Sequence, residues 1–104
     1  MLVIVSDDAE MRDLGSYGGD LPTPNLDRIV AEGTGFTNAY AASTVCTPSR
    51  YTLLTGRYPT RSSSFADVPR DARPNRTWSA TVGEGDRTIV GPLNDLGYRT
   101  GFVG

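Results

Sequence analysis

The chain has 104 residues, a length that fits one small domain. It contains no histidine and no lysine, so its ten basic residues are all arginine, and no Ser-His-Asp triad, His-ligated zinc site or P-loop can form within it. A formal charge of −2 does not favour a general nucleic-acid surface.

The composition also bears on turns, cysteine chemistry and targeting. Twelve glycines and seven prolines predict many turns. The single cysteine, Cys46, has no partner for an internal disulfide, so it is either a small buried residue or a reactive group. No apolar run approaches the ~18 residues of a membrane span. The first residues lack a signal-peptide pattern, and the sequence leaves the compartment open.

The predicted elements alternate between strands and helices. Residues 2–5 form a continuous, largely β-branched run that is typical of a strand buried on both faces. A turn-rich connection follows over residues 9–22. Aromatic and β-branched residues predict further strands over 36–40 and 98–103. This order predicts an α/β fold with a mixed, mostly parallel sheet and flanking helices.

Three helices are predicted between these strands. A Thr-Pro pair begins the helix over residues 24–32, and Gly33 stands where a left-handed residue would close it. A second Thr-Pro pair and Gly56 bound a short helix over 48–55, which places Cys46 just before a helix N-terminus. The third helix, near the end of the chain, has a Gly-Pro pair that interrupts its first turn.

Residues 60–87 are rich in Ser, Arg, Asp, Pro and Gly and show no regular period. This composition predicts a long surface loop within the single domain 1–104, anchored by Trp78. Within this loop, Asn75-Arg76-Thr77 fits an N-glycosylation sequon, which has meaning only in a secreted eukaryotic protein.

Asp7 and Asp8 follow the carboxyl end of the first predicted strand, where open α/β sheets bind their ligands. Adjacent carboxylates repel each other, and a hard cation such as Ca²⁺ or Mg²⁺ would relieve the repulsion through oxygen ligation. An ordinary solvated acidic turn has the same composition. These two residues alone leave both interpretations open.

Arg50 falls in the first turn of its predicted helix, where the macrodipole disfavours a cation. A bound sulfate or phosphate would satisfy both the guanidinium and the free N–H groups of the helix N-terminus. Cys46 lies four residues earlier, so on a continued helix a reactive thiol would share a face with Arg50. The alternative is an arginine that simply extends into solvent.

The run Cys46-Thr47-Pro48-Ser49-Arg50, which continues to Leu54-Thr55-Gly56-Arg57, closely resembles the type I sulfatase signature C-x-P-S-R followed by L-T-G-R. The resemblance extends over residues 2–60 and 88–104. Its other matching segments are the predicted strand that ends in Asp7-Asp8, then Asp13-Leu14-Gly15-Ser16-Tyr17-Gly18, Thr23-Pro24-Asn25-Leu26-Asp27-Arg28, Phe36-Thr37-Asn38-Ala39-Tyr40 and Leu96-Gly97-Tyr98-Arg99-Thr100-Gly101-Phe102-Val103-Gly104.

This resemblance implies an alkaline-phosphatase-like α/β sandwich, of which the chain would form the amino-terminal part. It implies that Cys46 is converted to formylglycine by a formylglycine-generating enzyme acting on the segment from Cys46 to Arg50. Asp7, Asp8 and the modified Cys46 would ligate a divalent cation, usually Ca²⁺ and otherwise Mg²⁺. Arg50 would hold the modified side chain and stabilise negative charge. Members of the family are often exported or lysosomal, and a catalytic Lys and His would follow the last matching segment.

The implied activity of the complete enzyme is hydrolysis of a sulfate ester to an alcohol or phenol and sulfate, with the 104 residues alone inactive. A phosphonate or phosphate ester hydrolase of the same superfamily is an alternative, since it can share formylglycine and the metal site. A further alternative is a noncatalytic relic or binding module whose Cys46 is never modified. Aryl, carbohydrate and choline-type sulfates all remain open as substrates.

Overall fold

The computed structural model describes residues 1–65 and 80–104, which divide into the units Met1–Tyr40 and Ala41–Gly104. Within these ranges the α-helices are α1 (Pro24–Glu32), α2 (Cys46–Thr55) and α3 (Val90–Asp95). Short 3₁₀ turns occupy Met11–Asp13, Gly15–Tyr17, Pro59–Arg61 and Ser63–Phe65. None of the helices in the described ranges has the length and apolar character needed to cross a membrane.

Helix α1 begins and ends at the predicted residues, with Pro24 at its first position, where the missing N–H costs no hydrogen bond. Thr23 precedes it but does not cap it with its side chain. Instead the Thr23 hydroxyl accepts the Gly15 N–H and donates to Asp27 Oδ1, both at 2.9 Å. The same Asp27 oxygen accepts the Ser16 N–H at 2.7 Å. These bonds join α1 to the 3₁₀ turn before it.

Gly33 follows α1 as predicted, but the predicted left-handed conformation is wrong. Its φ is −127° and its ψ is −130°. A Cβ at this position would lie 2.8 Å from the Ile29 carbonyl oxygen. The glycine therefore permits a close approach to the last turn of the helix rather than a positive φ.

The predicted strands over 2–5, 36–40 and 98–103 are not formed in the described part of the chain. The side chains of the first run, expected to be buried on both faces, are exposed, with Leu2 83% and Ile4 73% accessible. A strand exists only with a neighbour that exchanges backbone hydrogen bonds, and parallel neighbours are reached through long crossover connections. The β-branched runs are present without such neighbours, so the predicted mixed sheet is absent from residues 1–65 and 80–104.

The buried residues all belong to the second unit, and Tyr51 of α2 is central to them. Tyr51 and Ala80 are each 2% exposed. The other buried residues of the described chain are Pro48, Pro59 and Ser62. Helix α2 is thus packed along one side, while no residue of the unit Met1–Tyr40 is fully buried.

The predicted loop over 60–87 is described only at its two ends. These ends are joined by a hydrogen bond in which the Ser62 hydroxyl donates to the Thr81 carbonyl at 3.1 Å. The expected anchor Trp78 and the sequon at Asn75 lie outside the described residues.

Helix α3 begins at Val90, so its Gly-Pro pair lies within the first turn, where backbone N–H groups have no partner in the helix. Gly97 follows α3 with a φ of 81°, and its N–H donates to the Asn94 carbonyl at 2.9 Å. The glycine that precedes the predicted last strand therefore has the left-handed conformation typical of a residue after a helix.

Candidate active site

Helix α2 begins two residues earlier than predicted, which makes Cys46 its first residue rather than a residue before it. The prediction took Pro48 as the first helical position. Proline is tolerated throughout the first turn, because the N–H groups there have no intrahelical acceptor. Val45 is the N-cap residue without a side-chain cap, and its N–H donates to the Ser43 hydroxyl at 3.3 Å.

Cys46 is an exposed free thiol, so the expectation of a small buried residue is wrong. Its Sγ lies 4.0 Å from the Thr47 hydroxyl, the limit for a sulfur hydrogen bond. At the first position of a helix it is close to unpaired backbone N–H groups and to the positive end of the macrodipole.

Arg50 is the fifth residue of α2 and is exposed. The sequence placed it in the first turn, but the earlier start of the helix moves it two positions further in, beyond the first turn, where the macrodipole penalty has largely fallen away. The predicted place of Arg50 in the first turn is therefore wrong, and a macrodipole penalty on Arg50 gives no argument for a bound anion. What remains is proximity: Arg50 follows Cys46 by four residues on a continuous helix, so the two side chains share a face.

The packing of one side of α2 determines which side of the helix is exposed. Pro48 and Tyr51 are both buried. With these two residues packed, α2 cannot rotate freely about its axis, and Cys46 and Arg50 remain on its accessible side.

Asp7 and Asp8 form an exposed bend after residues 2–5. Asp8 has a φ of 51° and is the one non-glycine residue with positive φ among those described. Aspartate tolerates this left-handed conformation better than most residues, but the conformation is still strained. Strained backbone of this kind is found most often at functional sites. The bend therefore differs from an ordinary acidic turn in its backbone geometry.

The expected metal ligands Asp7, Asp8 and Cys46 all lie within the described residues. Within those ranges, no three His, Cys, Asp or Glu side chains are grouped so that they could hold a metal ion. Asp7 and Asp8 belong to the unit Met1–Tyr40, and Cys46 belongs to Ala41–Gly104. The two carboxylates are donors of the type that Ca²⁺ and Mg²⁺ prefer, but they fill only part of the about six to eight oxygen positions of Ca²⁺.

The C-terminal end of α2 was predicted correctly. Gly56 has a φ of 67°, and its N–H donates to the Thr52 carbonyl at 2.8 Å. Arg57 follows immediately, and its Nη1 lies 3.8 Å from Oδ1 of Asp86.

Asp86 is a residue that the sequence analysis missed. Its side chain is only 1% exposed. Its Oδ2 accepts the Ser63 hydroxyl and the Gly83 N–H, both at 3.0 Å. The sequence signal was limited to a carboxylate in a glycine-rich turn, and no spacing rule connects it to Arg57.

The surroundings of Asp86 hold the pKa of its carboxyl below the ordinary value. The main cause is the hydrogen bond from the Gly83 N–H, which outweighs the opposing effect of burial. Ser63, the charge of Arg57 and the hydroxyl of Tyr51 lower the pKa further. The Tyr51 hydroxyl is buried, and it makes no hydrogen bond with good geometry to any group in the described chain. It therefore affects the Asp86 carboxyl by lying near it and not through a hydrogen bond.

A shallow cavity of about 240 Å³ lies elsewhere in the second unit. It is lined by Ala42, Ser43, Tyr58, Pro59 and Thr60. None of the four residues predicted to form the active site lines it.

Comparison of the sequence with known proteins assigns the chain to a family. The Sulfatase family model matches residues 1–104. Arylsulfatase H of Canis lupus familiaris is 39% identical over 108 residues, which cover 100% of this chain and 19% of that relative. N-acetylgalactosamine-6-O-sulfatase of Bacteroides thetaiotaomicron is 37% identical over 105 residues, with coverages of 100% and 19%. Steryl-sulfatase of Rattus norvegicus is 39% identical over 104 residues, with coverages of 99% and 18%.

No solved structure gives a significant match. The chain spans about a fifth of the length of the curated relatives that it matches. The family implies an alkaline-phosphatase-like fold, of which the described residues contain helices but no strands. Because the family model covers the chain from its first residue to its last, the chain belongs to the sulfatase family.

Proposed function

We propose that this chain is part of an enzyme that hydrolyses a sulfate ester to an alcohol or phenol and sulfate, with Cys46 as the precursor of its formylglycine nucleophile. The observation that carries the proposal is the exposed Cys46 at the first position of α2, with Arg50 one turn away on the same face. The whole-chain match to the sulfatase family supports it.

The residue type at position 46 suits this chemistry only after modification. A hydrated aldehyde would supply one hydroxyl to attack the sulfur and a second whose deprotonation expels sulfate and restores the carbonyl. The protein's own contribution is position: the first turn of α2 provides free N–H groups and a favourable dipole for an anion.

Arg50 would hold the modified side chain and stabilise the negative charge that accumulates on the sulfate oxygens. Its guanidinium offers several donors in one plane, which matches two oxygens at once. A positive charge already fixed beside the reacting group needs no reorganisation during the reaction. The packing of Tyr51 and Pro48 on the opposite side of α2 supports this role, because it limits rotation of the helix.

Burial of Pro48 bears on the modification itself. An enzyme that reads the segment from Cys46 to Arg50 must contact Pro48, which is fully buried once α2 is packed. We infer that the formylglycine-generating enzyme meets this segment before α2 is packed.

Asp7 and Asp8 are the proposed ligands for a divalent cation, Ca²⁺ in the first instance. The metal would polarise the sulfate oxygens and lower the pKa of the nucleophile. The strained backbone of Asp8 supports a functional role for the bend. Two carboxylates do not complete the shell, so the remaining ligands would come from the longer family sequence.

Replacement of the two aspartates tests the metal site in the complete enzyme. Asp7→Asn and Asp8→Asn should each reduce the bound calcium measured by elemental analysis, because an amide is a weaker and neutral ligand. Asp20→Asn, an exposed aspartate of the same unit, is the matched control and should retain the metal. Full calcium content in both ligand variants would remove Asp7 and Asp8 from the site.

Competition between substrates tests the reaction class. The complete enzyme should hydrolyse an aryl sulfate with a higher kcat/KM than the matching aryl phosphonate or phosphate, and Cys46→Ala should remove all three activities. A higher kcat/KM for the phosphonate would instead favour the phosphonate or phosphate ester hydrolase. Absence of all three activities, together with a Cys46 that stays an unmodified thiol after coexpression with the formylglycine-generating enzyme, would favour the noncatalytic alternative.

A further inference from the structure

Asp86 lies in a glycine-rich turn, and its carboxylate makes three polar contacts. Its carboxylate accepts hydrogen bonds from Ser63 and Gly83 and lies against the guanidinium of Arg57, with 1% of the side chain exposed. A buried carboxylate is costly unless it is paired, so this arrangement holds three separate parts of the unit together. None of these contacts involves the proposed reacting groups.

The contacts of Asp86 converge on the end of α2 that lies away from Cys46. Arg57 directly follows Gly56, the residue that closes the helix. A second link lies nearby, where the Ile89 N–H donates to the Leu54 carbonyl at 2.9 Å. The last turn of α2 is therefore joined to the segment 83–89 through both side chains and backbone.

Tyr51 extends this link along the helix. Its ring is buried and its hydroxyl lies beside the Asp86 carboxylate, where it contributes, after Gly83, Ser63 and Arg57, to the lowered pKa. Tyr51 adjoins Arg50 in sequence and projects from the packed side of the same helix. Asp86 thus contacts α2 beyond its last residue and lies close to it at its middle.

We propose that Asp86 is a positioning residue that holds α2 against residues 83–89 and thereby fixes where the helix presents Cys46, at its opposite end, and Arg50, near its middle. This inference rests on the proposed function, since it assigns Asp86 a part in the same reaction without contact with the substrate. Helix α2 has 10 residues and is therefore about 15 Å long. A tilt of about 4° about its C-terminal end would move the end that carries Cys46 by about 1 Å. A displacement of that size can reduce turnover by about two orders of magnitude.

The test uses the complete enzyme with Asp86→Asn, which keeps the shape of the side chain and removes its charge. Asp95→Asn, an exposed carboxylate of α3, is the matched control. Formylglycine content is measured in each sample, and kinetics are run well below each unfolding temperature. We expect kcat to fall at least roughly tenfold in Asp86→Asn with KM changed by less than about twofold, while Asp95→Asn behaves as wild type.

A purely structural role for Asp86 would lower the unfolding temperature but leave kcat per modified, folded enzyme unchanged, and that result would overturn the proposal. If Asp86→Asn does not fold, Ser63→Ala replaces it, because this change removes one hydrogen bond to the Asp86 carboxylate. The same fall in kcat is then expected, and an unchanged kcat would again overturn the proposal.

Hydrogen exchange gives a readout that does not depend on sulfatase activity. Faster exchange of the amides of residues 50–56 in Asp86→Asn than in Asp95→Asn is expected, and equal exchange would overturn the proposal even if the enzyme's substrate were not a sulfate ester.

Discussion

Arg50 shares the exposed face of α2 with Cys46, and its geometry as well as its charge enters the proposed reaction. Lysine would keep the charge but lose the planar set of donors. We expect Arg50→Lys in the complete enzyme to lower kcat at least roughly tenfold, a loss of more than ~1.4 kcal/mol of transition-state stabilisation.

Steady-state kinetics on this variant, with formylglycine content determined in the same sample, measure the effect. Arg28→Lys, an exposed arginine of α1, is the control and should be almost silent. An unchanged kcat in fully modified Arg50→Lys would show that Arg50 is only a surface cation.

Asp86 gives a prediction about pH. The Gly83 N–H is the main cause that holds the pKa of its carboxyl below the ordinary 3.8. A carboxyl whose pKa is lower in the folded state stabilises the fold above the unfolded pKa, and this contribution is lost as pH falls through the folded pKa. Asp86→Asn should therefore be less stable than wild type at neutral pH, with a difference that shrinks as pH falls below 3.8.

Urea unfolding of the two complete proteins across this pH range measures the difference in free energy. A gap between wild type and Asp86→Asn that stays constant down to acid pH would contradict the assigned ionisation. A gap that widens on acidification would contradict it as well.

At the level of secondary structure, helix boundaries were the most predictable feature, because local chemistry sets them. The bounds of α1 follow from Pro24 and the glycine after it, and Gly56 ends α2 as expected, with a positive φ. The start of α2 was predicted two residues late, since proline is compatible with any position of the first turn. The conformation of Gly33 was not predictable in the same way, because this glycine is required for space beside the Ile29 carbonyl and not for a positive φ.

Gly56 allows a direct test of the helix end. An added Cβ would meet no atom within 4 Å, so Gly56→Ala introduces no clash and only imposes the cost of a left-handed alanine. That cost is about 1–2 kcal/mol, and we expect the complete protein to lose about this much stability. Gly91→Ala is the matched control, because Gly91 lies in α3 with open space around it and no positive φ, and alanine there should be neutral or stabilising.

Thermal or urea unfolding of both variants gives the comparison. Equal stability of Gly56→Ala and wild type would mean that the end of α2 relaxes out of the left-handed conformation.

At the scale of the whole molecule, the sequence predicted what is local and missed what joins distant segments. The signature residues and the shared face of Cys46 and Arg50 follow from spacing along one helix. The sheet did not form because its strands need partners that the described chain does not supply. The contact of Asp86 with Arg57 spans 29 positions, and no periodicity in the sequence encodes such a pair.

The 104 residues on their own should be poorly folded and inactive as a sulfatase. Residues 2–5 expose their apolar side chains, and the unit Met1–Tyr40 has no fully buried residue. Apolar surface of this kind needs the rest of a domain to cover it. We expect the purified chain to show no hydrolysis of an aryl sulfate and little cooperative unfolding, whereas measurable hydrolysis with contaminants excluded would contradict the expectation.

The most direct test of the central claim is the chemical state of residue 46 in an active preparation of the complete enzyme. Peptide mass spectrometry, after coexpression with the formylglycine-generating enzyme, should find an aldehyde in place of the Cys46 thiol. Sulfatase activity across preparations should rise in proportion to the aldehyde fraction, and Cys46→Ala should fold without turnover. A fully active enzyme that carries only the unmodified thiol at position 46 would contradict the account.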